Sequence, residues 1–207
     1  MPGSEGILKF TLQWEPSPAV RSPQVRQLCF WRNVLFRFRL IGATADGIGY
    51  GNVSVRCGEG ARFFITGTGT GTIPVLTEEH CCEVLQADIE GNFLRCRGPV
   101  RASSESLTHA ALYLCSPAIG AVVHAHHRIL WERLRGVLPT TSEEFAYGTS
   151  ELARELVRLY HSCGLGTAGL IVMGGHEEGL LSFGRTLREA ASLLLRTLRR
   201  YAADTPR

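Results

Sequence analysis

Two short apolar runs, each ending in histidine, constrain this chain more than any other feature. Residues 121–123 lead into "HAHH", and residues 170–173 lead through two glycines into His176. Runs of this length and composition form buried strands, so both histidine groups belong at strand ends within a sheet. Successive side chains on a strand point to opposite faces, which puts His124 and His126 on one face and His127 on the other. Two imidazoles side by side at the end of a buried strand can close on one cation, since imidazole is the commonest metal-binding side chain. The same short pattern is also that of a polar strand end whose histidines meet solvent.

A chain of 207 residues, 44% hydrophobic and 20% charged, is of a size and composition to bury a substantial core. One domain is expected over residues 1–207, with residues 1–22 as an N-terminal strand extension. The net charge of +3 is carried by arginine far more than by lysine, and Arg185, Arg188, Arg196, Arg199 and Arg200 crowd the last helix. No basic run alternates with aromatics, so a solvated helix face is expected there and no nucleic-acid partner. No stretch approaches the roughly 18 consecutive apolar residues of a membrane span. "MPGSEGILKF" has no basic region followed by an apolar one, which argues against a secretory leader. Seven cysteines without a Cys-x-x-Cys point to reduced thiols in a cytoplasm.

Along the chain, Phe10, Leu12 and Trp14 recur at period two, as in a strand. Ser22 and Pro23 open a helix in which Leu28, Trp31, Leu35 and Phe38 form a core stripe. "YGNVSVRC" and "ARFFITG" read as strands joined at "GEG", followed by the glycine-rich loop "TGTGTGT". Thr77 is expected to cap a short helix through Val84, and "VLQAD" and "FLRCR" to form a hairpin around "IEGN". Ser103 or Ser104 caps a helix reaching about Cys115. "SELARELVRLYHSC" is amphipathic helix, "GLIVM" a buried strand and "TLREAASLLLRTLRRY" the closing helix. Locally paired strands with helices spread along the chain give an α/β layered fold.

His176 is the third candidate ligand, because it follows its apolar run as His124 follows the other. The glycines before it let the backbone turn sharply or pack closely. Three neutral imidazoles leave a zinc-type ion one open position, as in catalytic sites; a capped loop histidine would carry the same short motif. In "RASSESLTHAALY", two hydroxyls and a carboxylate open a helix, where backbone N–H groups and the dipole favour an anion. Ordinary helix capping uses the same residues. His109, four residues after Glu105, shares its helical face as a neighbour of the site or as a satisfied interior group. "GNVSV" and the Gly-Thr loop add N–H groups, an amide and hydroxyls suited to phosphate oxygens.

Taken in order, Gly-Asn-x-Ser, Ile-Thr-Gly, Ser-Ser-Glu, His-x-His and Gly-His before a Leu-x-Glu-Ala helix resemble the class II aldolase/adducin family over residues 24–201. That resemblance implies a central, largely antiparallel sheet covered by helices on both sides. It implies zinc, or another divalent ion, on His124, His126 and His176, with Glu105 as catalytic acid/base. Asn52, Thr66, Gly67, Ser103 and Ser104 match the positions that hold a substrate phosphate. The activity implied is reversible aldol cleavage of a small phosphorylated sugar or ketose through a metal-stabilised enediolate. An epimerase, a dehydratase, a decarboxylase and a non-catalytic adducin-like interaction domain share the scaffold. A zinc-dependent, cytoplasmic lyase is expected, and a homotetramer, as many relatives are. Two features depart from the family pattern. Glu177 and Glu178 stand where a glycine usually follows the metal histidine, with at least one expected in solvent, and the N-terminal strand is an addition.

Overall fold

The computed structural model describes residues 7–202. Residues 1–6, which begin the 1–22 extension and the stretch bearing on a leader, and residues 203–207 lie outside that description. In chain order the strands are β1 (Thr11–Pro16), β2 (Gly42–Ala43), β3 (Gly49–Tyr50), β4 (Asn52–Arg56), β5 (Phe63–Thr66), β6 (Cys81–Asp88), β7 (Phe93–Gly98), β8 (Ala121–His126), β9 (Gly169–Val172) and β10 (Gly179–Gly184). The helices are α1 (Pro23–Arg37), α2 (Ser106–Cys115), α3 (Arg128–Leu134), α4 (Ser150–Ser162) and α5 (Leu187–Ala202). Eight strands form one sheet in the order β1-β7-β6-β5-β4-β8-β10-β9, while β2 and β3 pair separately. The large sheet is antiparallel except where β1 lies parallel to β7 at one edge.

Strand alternation divides the core between the two faces. On β8, Val122 packs with Leu107, Leu112, Leu152 and Leu156 of α2 and α4. Ala121, Val123 and Ala125 pack with Leu28, Leu35, Leu130 and Leu194 of α1, α3 and α5. Each fully buried valine or leucine among them contributes roughly 1.5–3 kcal/mol. The fold is thus α/β, with a largely antiparallel sheet covered by helices on both sides. His124 and His126 follow Val122 in register, so the fold delivers both to the α2/α4 face. His127 points the other way and its side chain caps α3, accepting the Leu130 N–H.

Local chemistry explains most of the boundaries. Ser22 accepts the Val25 N–H at the start of α1, ahead of Pro23. Thr149 caps α4 by accepting the Leu152 N–H at 3.2 Å, a bond worth about 1 kcal/mol. Three expectations need correction, and one strand is unanticipated. No helix runs from Thr77 to Val84: a single 3-10 turn (Glu78–His80) closes with a capping box, and the strand begins at Cys81. Period two governs that stretch, since Cys81 faces one core while Cys82 and Val84 face the other. Phe38 does not join the α1 stripe, because the helix ends at Arg37 and leaves it 53% exposed. α2 starts at Ser106 rather than after a serine cap, with Glu105 at its N-cap position making no side-chain cap bond. Finally, "GLLSFG" is a full strand, β10, between His176 and the last helix.

Candidate metal centre and its cleft

Three imidazoles meet at one point. His124 and His126 come from β8, and His176 from the turn between β9 and β10; all three are buried. Their Nε2 atoms lie 3.1 Å (His124 to His126), 2.9 Å (His126 to His176) and 3.2 Å (His124 to His176) apart. Zinc–nitrogen bonds of about 2.0–2.1 Å at tetrahedral angles would set nitrogens about 3.3 Å apart. His124 donates from Nδ1 to the Leu180 carbonyl at 3.2 Å, which leaves its Nε2 as a lone-pair donor to a cation. Burial, and then the neighbouring rings of His126, His176 and His109, hold the His124 imidazole well below its ordinary range, hence neutral at pH 7. Convergent ring nitrogens at this spacing fit a divalent ion and are poorly accounted for as mutual hydrogen bonds.

The supporting backbone is built for close approach. Gly174 and Gly175 before His176 pack onto the 141–145 segment; a Cβ would lie 2.1 Å from the Thr141 oxygen and 2.3 Å from the Phe145 oxygen. Close packing, rather than an unusual backbone angle, is what these glycines supply. Gly51, by contrast, needs a φ of +78° and would place a Cβ 2.8 Å from Ile41. It sits between Tyr50, stacked on His126 at 4.9 Å, and Asn52, paired with His124 across the β4–β8 ladder.

A narrow cleft opens beside His124 and brings together Asn52, Gly67, Ser103, Ser104 and Glu105 with residues 68–71 of the Gly-Thr loop. Thr66 stands apart, buried at the end of β5 with its hydroxyl accepting the Val53 N–H. Ser103 Oγ accepts the Glu105 N–H and Ser103 O accepts the Ser106 N–H, so this stretch is a tight turn ahead of α2. Asn52 Oδ1 is buried with no hydrogen-bond partner among the described residues. Such a group is costly unless a ligand or water completes it. Glu105 is only 3% exposed, and Thr108 Oγ1 donates to its Oε2 at 2.9 Å.

Several neighbours carried no signal in the sequence. Tyr147 lies against the His176 ring at 4.7 Å and lines the cleft. Arg32, buried within α1, donates to the carbonyls of Thr70 at 2.7 Å and Gly71 at 3.2 Å, and also to that of Ile73. It thereby fixes the Gly-Thr loop. Burial lowers its guanidinium to about 10, still charged at neutrality. Its one signal in the sequence is its place four residues after Leu28, on the buried stripe of the helix. Glu177 and Glu178 both pair with Arg128, at 2.6 Å and 3.1 Å. These exposed pairs turn the two carboxylates towards solvent and away from the imidazoles. Glu178 adopts the left-handed φ of 66° that a glycine would favour.

His109 is an interior group. It is fully buried, with Nδ1 2.6 Å from Ser54 Oγ, which in turn meets Tyr113 OH at 2.7 Å. Burial pushes its imidazole down to about 3, from 6.5. The unfolded chain therefore takes up this proton near pH 6.5 while the folded chain refuses it. Stability is complete above 6.5 and falls as the pH drops towards 3, by up to about 1.4 kcal/mol per pH unit. His109→Gln is expected to flatten this acid limb, both by removing its own titration and by relieving the His109 ring's share in holding His124 low. Urea unfolding at a series of pH values checks it; identical pH slopes for the two proteins would refute the assignment.

The chain matches the model of the class II aldolase and adducin N-terminal domain over residues 39–201. It belongs to that family. Among solved structures, an L-fuculose 1-phosphate aldolase superposes with a TM-score of 0.65 at 21% identity, covering 89% of this chain and 87% of that one. The L-fuculose-1-phosphate aldolase from Thermus thermophilus gives 0.57 at 23%, over 89% and 98%. YgbL from Klebsiella pneumoniae, a candidate aldolase/epimerase/decarboxylase, gives 0.64 at 21%, over 89% and 90%. At these identities the likeness is one of fold. The family region begins after α1, so β1 and Arg32 lie outside it. No helix among the described residues is long and apolar enough to cross a membrane.

Proposed function

We propose that the chain is a metal-dependent lyase that cleaves a small phosphorylated sugar or ketose by a reversible aldol reaction. The observation that carries this reading is the meeting of three imidazole Nε2 atoms beside a cleft that His124 shares with a buried carboxylate. In this reading His124, His126 and His176 hold one zinc or similar divalent ion. When bound, that ion supplies Lewis acidity for a ketone and its neighbouring hydroxyl. Glu105 moves the proton at the reacting carbon, held in place by Thr108. Asn52, Gly67, Ser103 and Ser104 bind the anionic end, with Thr66 supporting them through the backbone. We read residues 1–207 as one domain acting in a reducing cytoplasm, and expect a homotetramer, to be checked by light scattering.

The direct test is metal analysis combined with a retro-aldol assay over a panel of sugar phosphates. One equivalent of divalent ion and aldehyde release from at least one phosphorylated ketose support the reading. Carbon dioxide release from a hydroxy acid, or epimerisation without cleavage, would replace it with another activity on this scaffold. A metal-free, inactive protein would favour an adducin-like interaction domain. The anion is tested separately. Inorganic phosphate is expected to bind weakly and to compete with substrate, and a phosphate or sulfate soak is expected to place the anion against Asn52, Ser103 and Ser104. Occupation of unrelated surface sites alone would point to a non-phosphorylated substrate.

A further inference from the structure

Of the 22 basic residues in the chain, one is lysine, and it is Lys9. Arginine serves everywhere else, including every exposed ion pair described. Lys9 lies just before β1, in the addition that precedes the family region. Its backbone is anchored: Asn92 Nδ2 donates to the Lys9 carbonyl at 3.0 Å, and Phe10 beside it is buried in the α2/α4 core. From there Nζ reaches 138 positions along the chain, donating to the Tyr147 carbonyl at 2.9 Å. The same ammonium lies 3.7 Å from the centre of the Tyr147 ring. That ring rests on His176 and forms a wall of the cleft that also holds Glu105. Tyr147 belongs to the irregular segment between α3 and α4, so its placement depends on such tertiary contacts.

We propose that Lys9 is a positioning residue of the cleft. It pins the Tyr147 wall against His176 and brings a positive charge to the Glu105 side from outside the family region. The inference rests on the metal-centre reading for its consequence in binding, though not for the contact itself. A cation over an aromatic face is attracted by the ring quadrupole, more strongly when partly desolvated. A compact ammonium can meet the ring and the adjacent carbonyl together, whereas the planar guanidinium of arginine stacks differently. Two effects act on the Lys9 amine: burial lowers its proton affinity, and the Glu105 carboxylate acts in the opposite sense. The charge is therefore within electrostatic reach of the proposed acid/base without touching it.

Being the sole lysine makes Lys9 directly observable. Reductive methylation with 13C-formaldehyde labels only Lys9 and the terminal amine, and a 3-fluorotyrosine signal at Tyr147, assigned through Tyr147→Phe, reports the partner. In wild type the Lys9 methyl resonance is expected to be displaced by the ring current and to return towards a free-lysine position in Tyr147→Leu. Lys9→Met should shift or broaden the Tyr147 fluorine signal, and weaken inorganic phosphate binding to the zinc-loaded protein about three- to tenfold. Lys9→Arg, which restores the charge but not the compact geometry that meets ring and carbonyl together, should recover only part of that loss. Unchanged phosphate affinity and fluorine signal in Lys9→Met, with only a lowered melting temperature, would reduce Lys9 to a staple for β1 and overturn the proposal. A Lys9 methyl resonance at the free-lysine position in wild type would overturn it too, even if Lys9→Met fails to fold. Absence of metal from wild type would defeat the metal-centre reading instead, and the two NMR signals on metal-free protein would still decide the role of Lys9.

Discussion

Replacing His124, His126 and His176 together with Ala is expected to abolish divalent-ion binding and to take turnover to background. His126→Ala alone should do nearly the same, because it removes the ring whose Nε2 lies within 3.1 Å of both others. Two imidazoles fall short of the three protein ligands that hold catalytic zinc. Secondary structure should barely change, since the sheet is held by Val122, Val123 and their partners in the two cores rather than by the imidazoles. A thermal measurement separates metal loss from misfolding. An ion that binds only the folded state at 100 times its dissociation constant stabilises by about 2.7 kcal/mol. Wild type should gain this on zinc addition, and the triple variant should gain nothing while melting close to metal-free wild type. Full metal retention in the triple variant would sink the centre.

The convergence of these rings is legible in the sequence because strand alternation is strict. Once residues 121–126 are a strand, His124 and His126 share a face and His127 cannot join them. The same rule makes His127 available to cap α3, a role that no motif announced. His176 required a second apolar run ending in the same way, and the hydrophobic pattern supplied it. Where local pattern competed with tertiary packing, the reading failed. "TEEHCCEV" carries good helix-start chemistry at Thr77, yet the alternation of Cys81, Cys82 and Val84 between two cores wins, because the sheet needs β6 to join β5 and β7. "GLLSFG" has two glycines and no strong alternation, being buried on both faces, so its strand character becomes visible only through its partners β8 and β9.

The parts of the cleft that the sequence did not reveal are those held by long-range contact. Arg32 is one of three arginines in α1 and the buried one; its purpose lies in the carbonyls of a loop about forty positions away. Tyr147 and Lys9 sit in irregular segments with no periodicity, and the contacts of Lys9 with Tyr147 and of Tyr147 with His176 form only through folding. Glu177 and Glu178 could be read from sequence as extra ligands or as solvent-facing charges. Arg128, one residue past His127, decides the matter by pairing with both. A buried, unpaired carboxylate beside an anionic substrate would be costly, and an exposed pair is nearly neutral in energy.

Glu105→Gln is expected to lower turnover by about 10²–10⁴-fold, the usual worth of general acid–base catalysis, while metal content stays near that of wild type. The substitution preserves size and leaves a side-chain oxygen to accept the Thr108 hydroxyl, now 2.9 Å from Oε2. What it removes is the capacity to take up and release a proton. The competing explanation, that Glu105 merely caps α2, has little left to rest on: it occupies the N-cap position but makes no cap bond, and the tight turn before it is closed by Ser103. A cap would be worth roughly 1 kcal/mol of stability and would leave turnover per folded molecule nearly unchanged. Single-turnover kinetics and urea unfolding on the same preparation separate the two. Thr108→Val, which removes the hydroxyl but keeps the carboxylate, should fall between wild type and Glu105→Gln. If Glu105→Gln instead loses stability and keeps its turnover, the acid/base role passes to another group, and the cleft beside the imidazoles has to be read as a hydrolytic or binding site.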